Sequence, residues 1–112
     1  MVSFKLKSRQ WIVDEHDNII IGEGRCQILE NIEKTGSINK TAKLMKMSYK
    51  GVWGKIKATE EHLRAKVVTT DRKNGTHLTE AGKELLRKYQ AMKEICLKEE
   101  DKIFRRIFGE QP

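Results

Sequence analysis

The stretch GSINKTAKLMKMSYKGVWGKIKAT, residues 36–59, carries the pattern on which the fold turns. Gly36 followed by Ser37 reads as a stop and a start. Glycine closes a helix in the left-handed conformation, and the serine hydroxyl takes a free amide of the next helix. Ile38, Ala42 and Met45 then recur at helical spacing, which predicts a helix over residues 38–45 with one buried face. Lys46 and Met47 make a turn. Ser48 is a second N-cap, and Val52, Ile56 and Leu63 form the inner face of a helix over residues 49–63, with Trp53 beside them. The reading is helix, tight turn, helix.

Charge is laid over the same stretch. Residues 34–59 hold the lysines 34, 40, 43, 46, 50, 55 and 57 and no Asp or Glu. The formal charge of this window equals the net +7 of the whole 112-residue chain, so everything outside it balances to zero. A concentrated positive field over a helix-turn-helix is what a duplex phosphate backbone attracts, and double-stranded DNA is the expected partner.

Working outward, residues 23–35 read as a first helix with Ile28, Leu29 and Ile32 as its buried stripe. Before it, residues 4–13 read as a strand ending in Trp11-Ile12-Val13. A polar turn (residues 14–18) and the β-branched return strand Ile19-Ile20-Ile21 complete a hairpin. After the third helix, residues 67–70 form a strand, Asn74-Gly75 marks a two-residue hairpin turn with φ > 0 at both positions, and Thr76-His77-Leu78 returns. Thr79 caps a long final helix over residues 80–108. This order is that of a winged helix-turn-helix. The expected class is α+β, mainly helical with little strand. One domain spans residues 1–112: an N-terminal hairpin (1–22), the helix-turn-helix and wing (23–78), and the long C-terminal helix (79–108).

A recognition helix needs an anchored inner face, an outer face that fits a major groove, and donors at its N-terminal end. Lys50, Gly51, Gly54 and Lys57 fall opposite the apolar stripe, and Lys55 adds charge nearby. Ser48, Tyr49 and Lys50 open the helix, where free amides and the helix dipole favour phosphate. Lys50 is the candidate for a base-edge contact with guanine, and Tyr49 for a phosphate contact. Glycines 51 and 54 each cost about 1 kcal/mol relative to alanine inside a helix. Either a close approach to DNA or close packing on the second helix accounts for them. In the wing, Arg72 and Lys73 precede Asn74-Gly75 and suit a phosphate strand or a minor groove. With Ser37 and Lys40 at the start of the second helix, these residues make up the candidate DNA-contacting set: Ser37, Lys40, Ser48, Tyr49, Lys50, Gly51, Gly54, Lys55, Lys57, Arg72 and Lys73.

Other chemistry finds little support. Asp14, Glu15, His16 and Asp17 are hard ligands in a row, but consecutive side chains on a turn rarely converge on one ion, and no metal site is expected. Cys26 and Cys96 sit in apolar helical patterns without CxxC spacing and read as buried thiols. There is no phosphate loop, nucleophile–base arrangement or apolar carboxylate pair. Neither an enzyme nor a cofactor is expected. No apolar run is long enough to span a membrane and the N-terminus has no secretory pattern, so the setting expected is cytoplasmic.

Three segments together carry a family resemblance: Gly36-Ser37-Ile38 with Thr41-Ala42; Met47-Ser48-Tyr49-Lys50 with Val52-Trp53; and Leu78-Thr79-Glu80-Ala81-Gly82. Over about residues 4–95 the chain resembles the N-terminal DNA-binding domain of ModE-type molybdate-responsive transcription regulators. The last segment is also common in LysR-type regulators. The resemblance implies a winged-helix dimer on operator DNA, with Ser48, Tyr49 and Lys50 opening the recognition helix and Arg72 on the wing. Two departures stand out. The wing has Gly75 alone where the family has a run of glycines, and residues 1–112 are not expected to include the family's molybdate-binding domain, so no molybdate binding is expected of this chain.

In the final helix Leu85, Tyr89, Met92 and Cys96 form a seam wide enough for one partner helix, and Ile103, Phe104, Ile107 and Phe108 resume it near the end. Homodimerisation through Leu85, Tyr89, Met92, Cys96, Ile103, Phe104 and Ile107 is the expectation, against a helix folded back on its own domain. Two other functions stay open. All-lysine charge in the helix-turn-helix also suits non-specific, architectural DNA binding, since lysine is a point charge where arginine forks onto guanine. A basic winged helix also suits docking an acidic protein.

Overall fold

A computed structural model describes residues 2–112; Met1, the first residue of the expected hairpin unit, lies outside them. The elements run β1 (Ile12–Val13), β2 (Ile19–Ile21), α1 (Glu23–Thr35), α2 (Ile38–Met45), α3 (Tyr49–Leu63), β3 (Val68–Asp71), β4 (Gly75–Leu78) and α4 (Glu80–Phe108). Each helix spans the residues its sequence predicts, and α2, α3 and α4 each begin on a side-chain cap. Ser37 Oγ accepts from Lys40 N, Ser48 Oγ from Gly51 N, and Thr79 Oγ1 from Gly82 N. Gly36 closes α1 at φ 69°. The fold is α+β, with four helices and two separate antiparallel hairpins among the described residues.

The core lies where α1, α2 and α3 meet. Ile28, Leu29, Ile32, Ile38, Ala42, Val52 and Ile56 are buried together with Ile20 and Ile21 of β2 and Val67, Val68 and Leu78 at the wing's root. Burial on this scale is the main source of stability in a domain of this size. Backbone fixes the wing at both ends: Thr76 N, one pair from the loop, donates to Gly36 O at 3.0 Å, and Thr79 N, at the root, to Val67 O at 3.0 Å. Gly82 lies so close to the wing that a Cβ there would sit 2.1 Å from the carbonyl oxygen of Val67.

Four expectations need correction. The first strand is two residues long, not ten. Its partner β2 ends at Ile21, where the α1 cap begins, so residues 4–11 have nothing to pair with. They run instead as a strap beside α4. Ser8 Oγ donates to Glu100, Phe4 N to Gln111 Oε1, and Phe4 meets Phe108 edge-on at 5.9 Å. In the wing, Asp71 pairs with Gly75, leaving a three-residue loop, 72–74. Gly75 alone has positive φ, at 78°, and Asn74 does not. The carboxylate of Asp71 shapes this loop by accepting from Lys73 N at 2.8 Å and Asn74 N at 2.6 Å. Cys96 is half-buried rather than buried; Cys26 is buried, and both thiols are free.

The last correction concerns α4. Leu86 and Tyr89 are core residues, and the Tyr89 hydroxyl donates to Gln10 O at 2.7 Å. Leu85 and Met92 pack against the same core. The first part of the expected dimer seam is therefore occupied by the chain itself, and Tyr89, at 1% exposure, is withdrawn from any partner. Beyond Tyr89 no α4 residue is fully buried. The helix projects, and the molecule measures 57 × 31 × 20 Å.

Candidate nucleic-acid interface

α3 is held from behind by more than its apolar stripe. Thr59 Oγ1 donates to Ile20 O at 2.7 Å, and Arg25 Nη1 donates to Thr59 Oγ1 at 3.2 Å, tying α3 to β2 and α1. Desolvation alone lowers the Arg25 guanidinium pKa from its ordinary value. With this anchoring the opposite flank of α3 is open. Tyr49, Lys50, Gly54, Lys55 and Lys57 are exposed, as are Lys40 on α2 and Ser48 at the cap. Gly51 and Ser37 are half-buried. The two serine hydroxyls are engaged as caps, so they orient the helix starts first and are left one proton each to donate.

The two helix glycines separate. A Cβ on Gly51 would sit 3.1 Å from Ser48 Oγ, so this position answers to its own cap. A Cβ on Gly54 would meet nothing within 4 Å, so close packing on α2 does not account for it.

The lysines also separate. Among the described residues Lys57 is the α3 lysine that meets a carboxylate: its Nζ lies 3.4 Å from Glu60 Oε1 and 4.6 Å from the centre of the Trp53 ring. Arg72 and Lys73 are exposed at the wing tip, within the loop rather than before it. The backbone amides of Asn74 and Lys73 hold the Asp71 carboxyl below the usual carboxylate range.

One residue behind the candidate flank escaped the sequence reading. Glu60 is buried at the end of α3, where its Oε2 accepts from Val67 N at 2.9 Å and Val68 N at 3.4 Å. It is the first acid after the acid-free window, which was the available signal. Of the residues expected at a dimer interface, Ile103 and Ile107 are exposed, and Cys96 and Phe104 are half-buried. Ile95 and Leu97 are exposed large apolar side chains on the same stretch of α4 that the seam had omitted, and Phe108, which the seam reached, is exposed as well. No helix of the described residues is long and apolar enough to cross a membrane.

A three-helix core, a two-stranded wing and a free lysine-bearing flank on the third helix define a winged helix-turn-helix domain of the DNA-binding regulatory class. Residues 24–83 match the model of the bacterial regulatory helix-turn-helix protein, lysR family, and the chain belongs to that family. The family and fold are those of a transcription regulator's DNA-binding domain, not of an enzyme. The chain is similar to the molybdenum transport protein ModE of Azotobacter vinelandii, at 34% identity over 76 residues, which is 64% of this chain and 28% of that protein. It is also similar to the molybdenum-pterin-binding protein MopB of Rhodobacter capsulatus, at 34% over 85 residues, 72% of this chain and 32% of that one. The chain thus spans under a third of the length of these relatives. In fold it is similar to the CbnR DNA-binding domain solved in complex with DNA, with a TM-score of 0.62 at 18% identity, covering 75% of this chain and 95% of that one. CbnR, a LysR family transcriptional regulator, matches with a TM-score of 0.60 at 18% identity, covering 73% of this chain and 28% of that one.

Proposed function

We propose that this protein is a dimeric, cytoplasmic transcription regulator that reads a specific duplex site. α3 enters the major groove by its N-terminal end, and the wing lies on the backbone or in the minor groove. The observation that carries this reading is the outer flank of α3. It is exposed, bears Lys50 and Lys55 free of any carboxylate among the described residues, and has at Gly54 a bare backbone that no internal neighbour requires. Lys50, in the first turn, is the base-reading side chain; Lys40, Lys55, Arg72 and Lys73 neutralise phosphates, and the caps Ser37 and Ser48 aim their helices. Dimerisation uses the projecting part of α4, where Ile95, Leu97, Ile103, Ile107 and Phe108 are exposed. It would set two recognition helices about 34 Å apart on a palindromic site.

Selection from random duplexes at near-physiological salt tests the reading. A consensus is expected, and Lys50→Ala is expected to weaken the selected duplex by about 1–3 kcal/mol while leaving random DNA nearly unchanged. Binding without a consensus would support the architectural reading. No binding to any duplex would leave docking of an acidic protein.

A further inference from the structure

We infer that Glu60 is a positioning residue for sequence discrimination: it holds Lys57 back from DNA until the recognition helix is seated on its preferred site. The inference rests on the DNA-binding reading above and adds a mechanism to it.

Glu60 is 9% exposed, yet both its oxygens are engaged. Oε2 receives the amides of Val67 and Val68, where the chain leaves α3 and enters the wing. Oε1 faces the ammonium of Lys57 at 3.4 Å, one turn back on the same helix. The ring of Trp53 lies under the same ammonium. One carboxylate thus ties the wing's first residues to a lysine on the outer flank of α3. Lys50, Trp53 and Lys57 share one stripe of the helix, with Lys50 in the first turn and Lys57 two turns further on.

The consequence is a matter of charge. Non-specific affinity for DNA is set by how many phosphates are neutralised, with log K falling by about 0.9 per contact for each unit of log salt. Lys57 is partly neutralised within the molecule, so it adds little to that count. To release it, Glu60 must give up a cation while its carboxylate stays in a poorly hydrated site, a change that desolvation opposes. A loosely placed phosphate on random DNA does not offset that. A phosphate brought close and held, once Lys50 has engaged its base and the helix sits fully in the groove, does. Lys57 then contributes on the right sequence and stays paired on the wrong one, and that difference is specificity.

The test compares wild type, Glu60→Gln, Lys57→Gln and the double variant in salt titrations on the selected duplex and on a random one. Gln at 60 keeps an acceptor for Val67 N and removes the ion pair. Glu60→Gln is expected to steepen the salt slope on random DNA by about 0.9, an extra three- to fourfold loss of affinity between 50 and 200 mM salt. The double variant is expected to return that slope to wild type. Lys57→Gln, which keeps the buried carboxylate and its two amide bonds, is expected to weaken the selected duplex about tenfold and leave random DNA unchanged. A wild-type slope for a folded Glu60→Gln protein overturns the inference while leaving DNA binding intact. Equal loss on both duplexes for Lys57→Gln also overturns it, and serves as the arm that decides if Glu60→Gln does not fold. Failure of wild type to bind any duplex overturns both the inference and the reading beneath it.

Discussion

Replacing Gly54 with alanine separates what the fold needs from what the interface needs. The position is exposed in the interior of α3, and the new methyl group would have no neighbour within 4 Å. Glycine costs a helix interior about 1 kcal/mol relative to alanine, so the variant is expected to be more stable by about that amount, with a melting temperature higher by about 4 °C. In urea the midpoint is expected to rise with an unchanged m-value. DNA binding is expected to move the other way. A methyl on the face nearest the groove floor holds the helix off by more than the tolerance of a hydrogen bond, and losing one bidentate-quality base contact is worth about 1–3 kcal/mol. A loss of about fivefold or more on the selected duplex, read by fluorescence anisotropy, is the expected outcome. Gly24→Ala in α1 is the control, since its methyl also meets nothing within 4 Å but lies on a different helix. It is expected to stabilise without touching affinity. Unchanged affinity for a stabilised Gly54→Ala protein would refute the groove-approach reasoning, and a lowered midpoint would refute the open-space reasoning.

Two further predictions concern the scaffold. Gly82→Ala forces a methyl against the Val67 carbonyl oxygen, where the ideal position is 2.1 Å away. Both atoms belong to rigid segments, and a loss of about 3 kcal/mol is expected by chemical denaturation; an unchanged midpoint would show that α4 and the wing root slide freely. The folded-state pKa of Asp71 lies below its ordinary value, so its contribution is present above the unfolded pKa and is lost as pH falls through the folded one. The amides of Lys73 and Asn74 are therefore expected to exchange faster on acidification below the usual aspartate range, in amide-exchange NMR, and Asp71→Asn is expected to remove most of that dependence; exchange rates that ignore pH after correction for intrinsic chemistry would contradict this.

The legible parts of the molecule are those whose cause is local. Ser37, Ser48 and Thr79 each take an amide three residues on, so the starts of α2, α3 and α4 are each written within four positions. The wing's existence was legible, but its turn was not. Asn74-Gly75 favours a two-residue loop, and Asp71, by accepting two amides ahead of it, closes a longer one. The α4 seam misled because periodicity reports which face is apolar, not what covers it. Leu85, Tyr89 and Met92 have the right spacing for a partner helix and are covered by their own domain.

From composition and pattern alone come the helix order, the wing, the placement of charge in one window and hence the expectation of DNA. These follow from signals that act over a few residues and need no knowledge of what lies across the fold. Which amides the Glu60 carboxylate takes, where α4 leaves the core, and what residues 4–11 run beside were settled only in three dimensions. Glu60 reaches the amides of residues 67 and 68, and Tyr89 reaches the carbonyl of Gln10 from 79 positions away. Contacts at that separation depend on how packed elements meet, and no short-range preference encodes them.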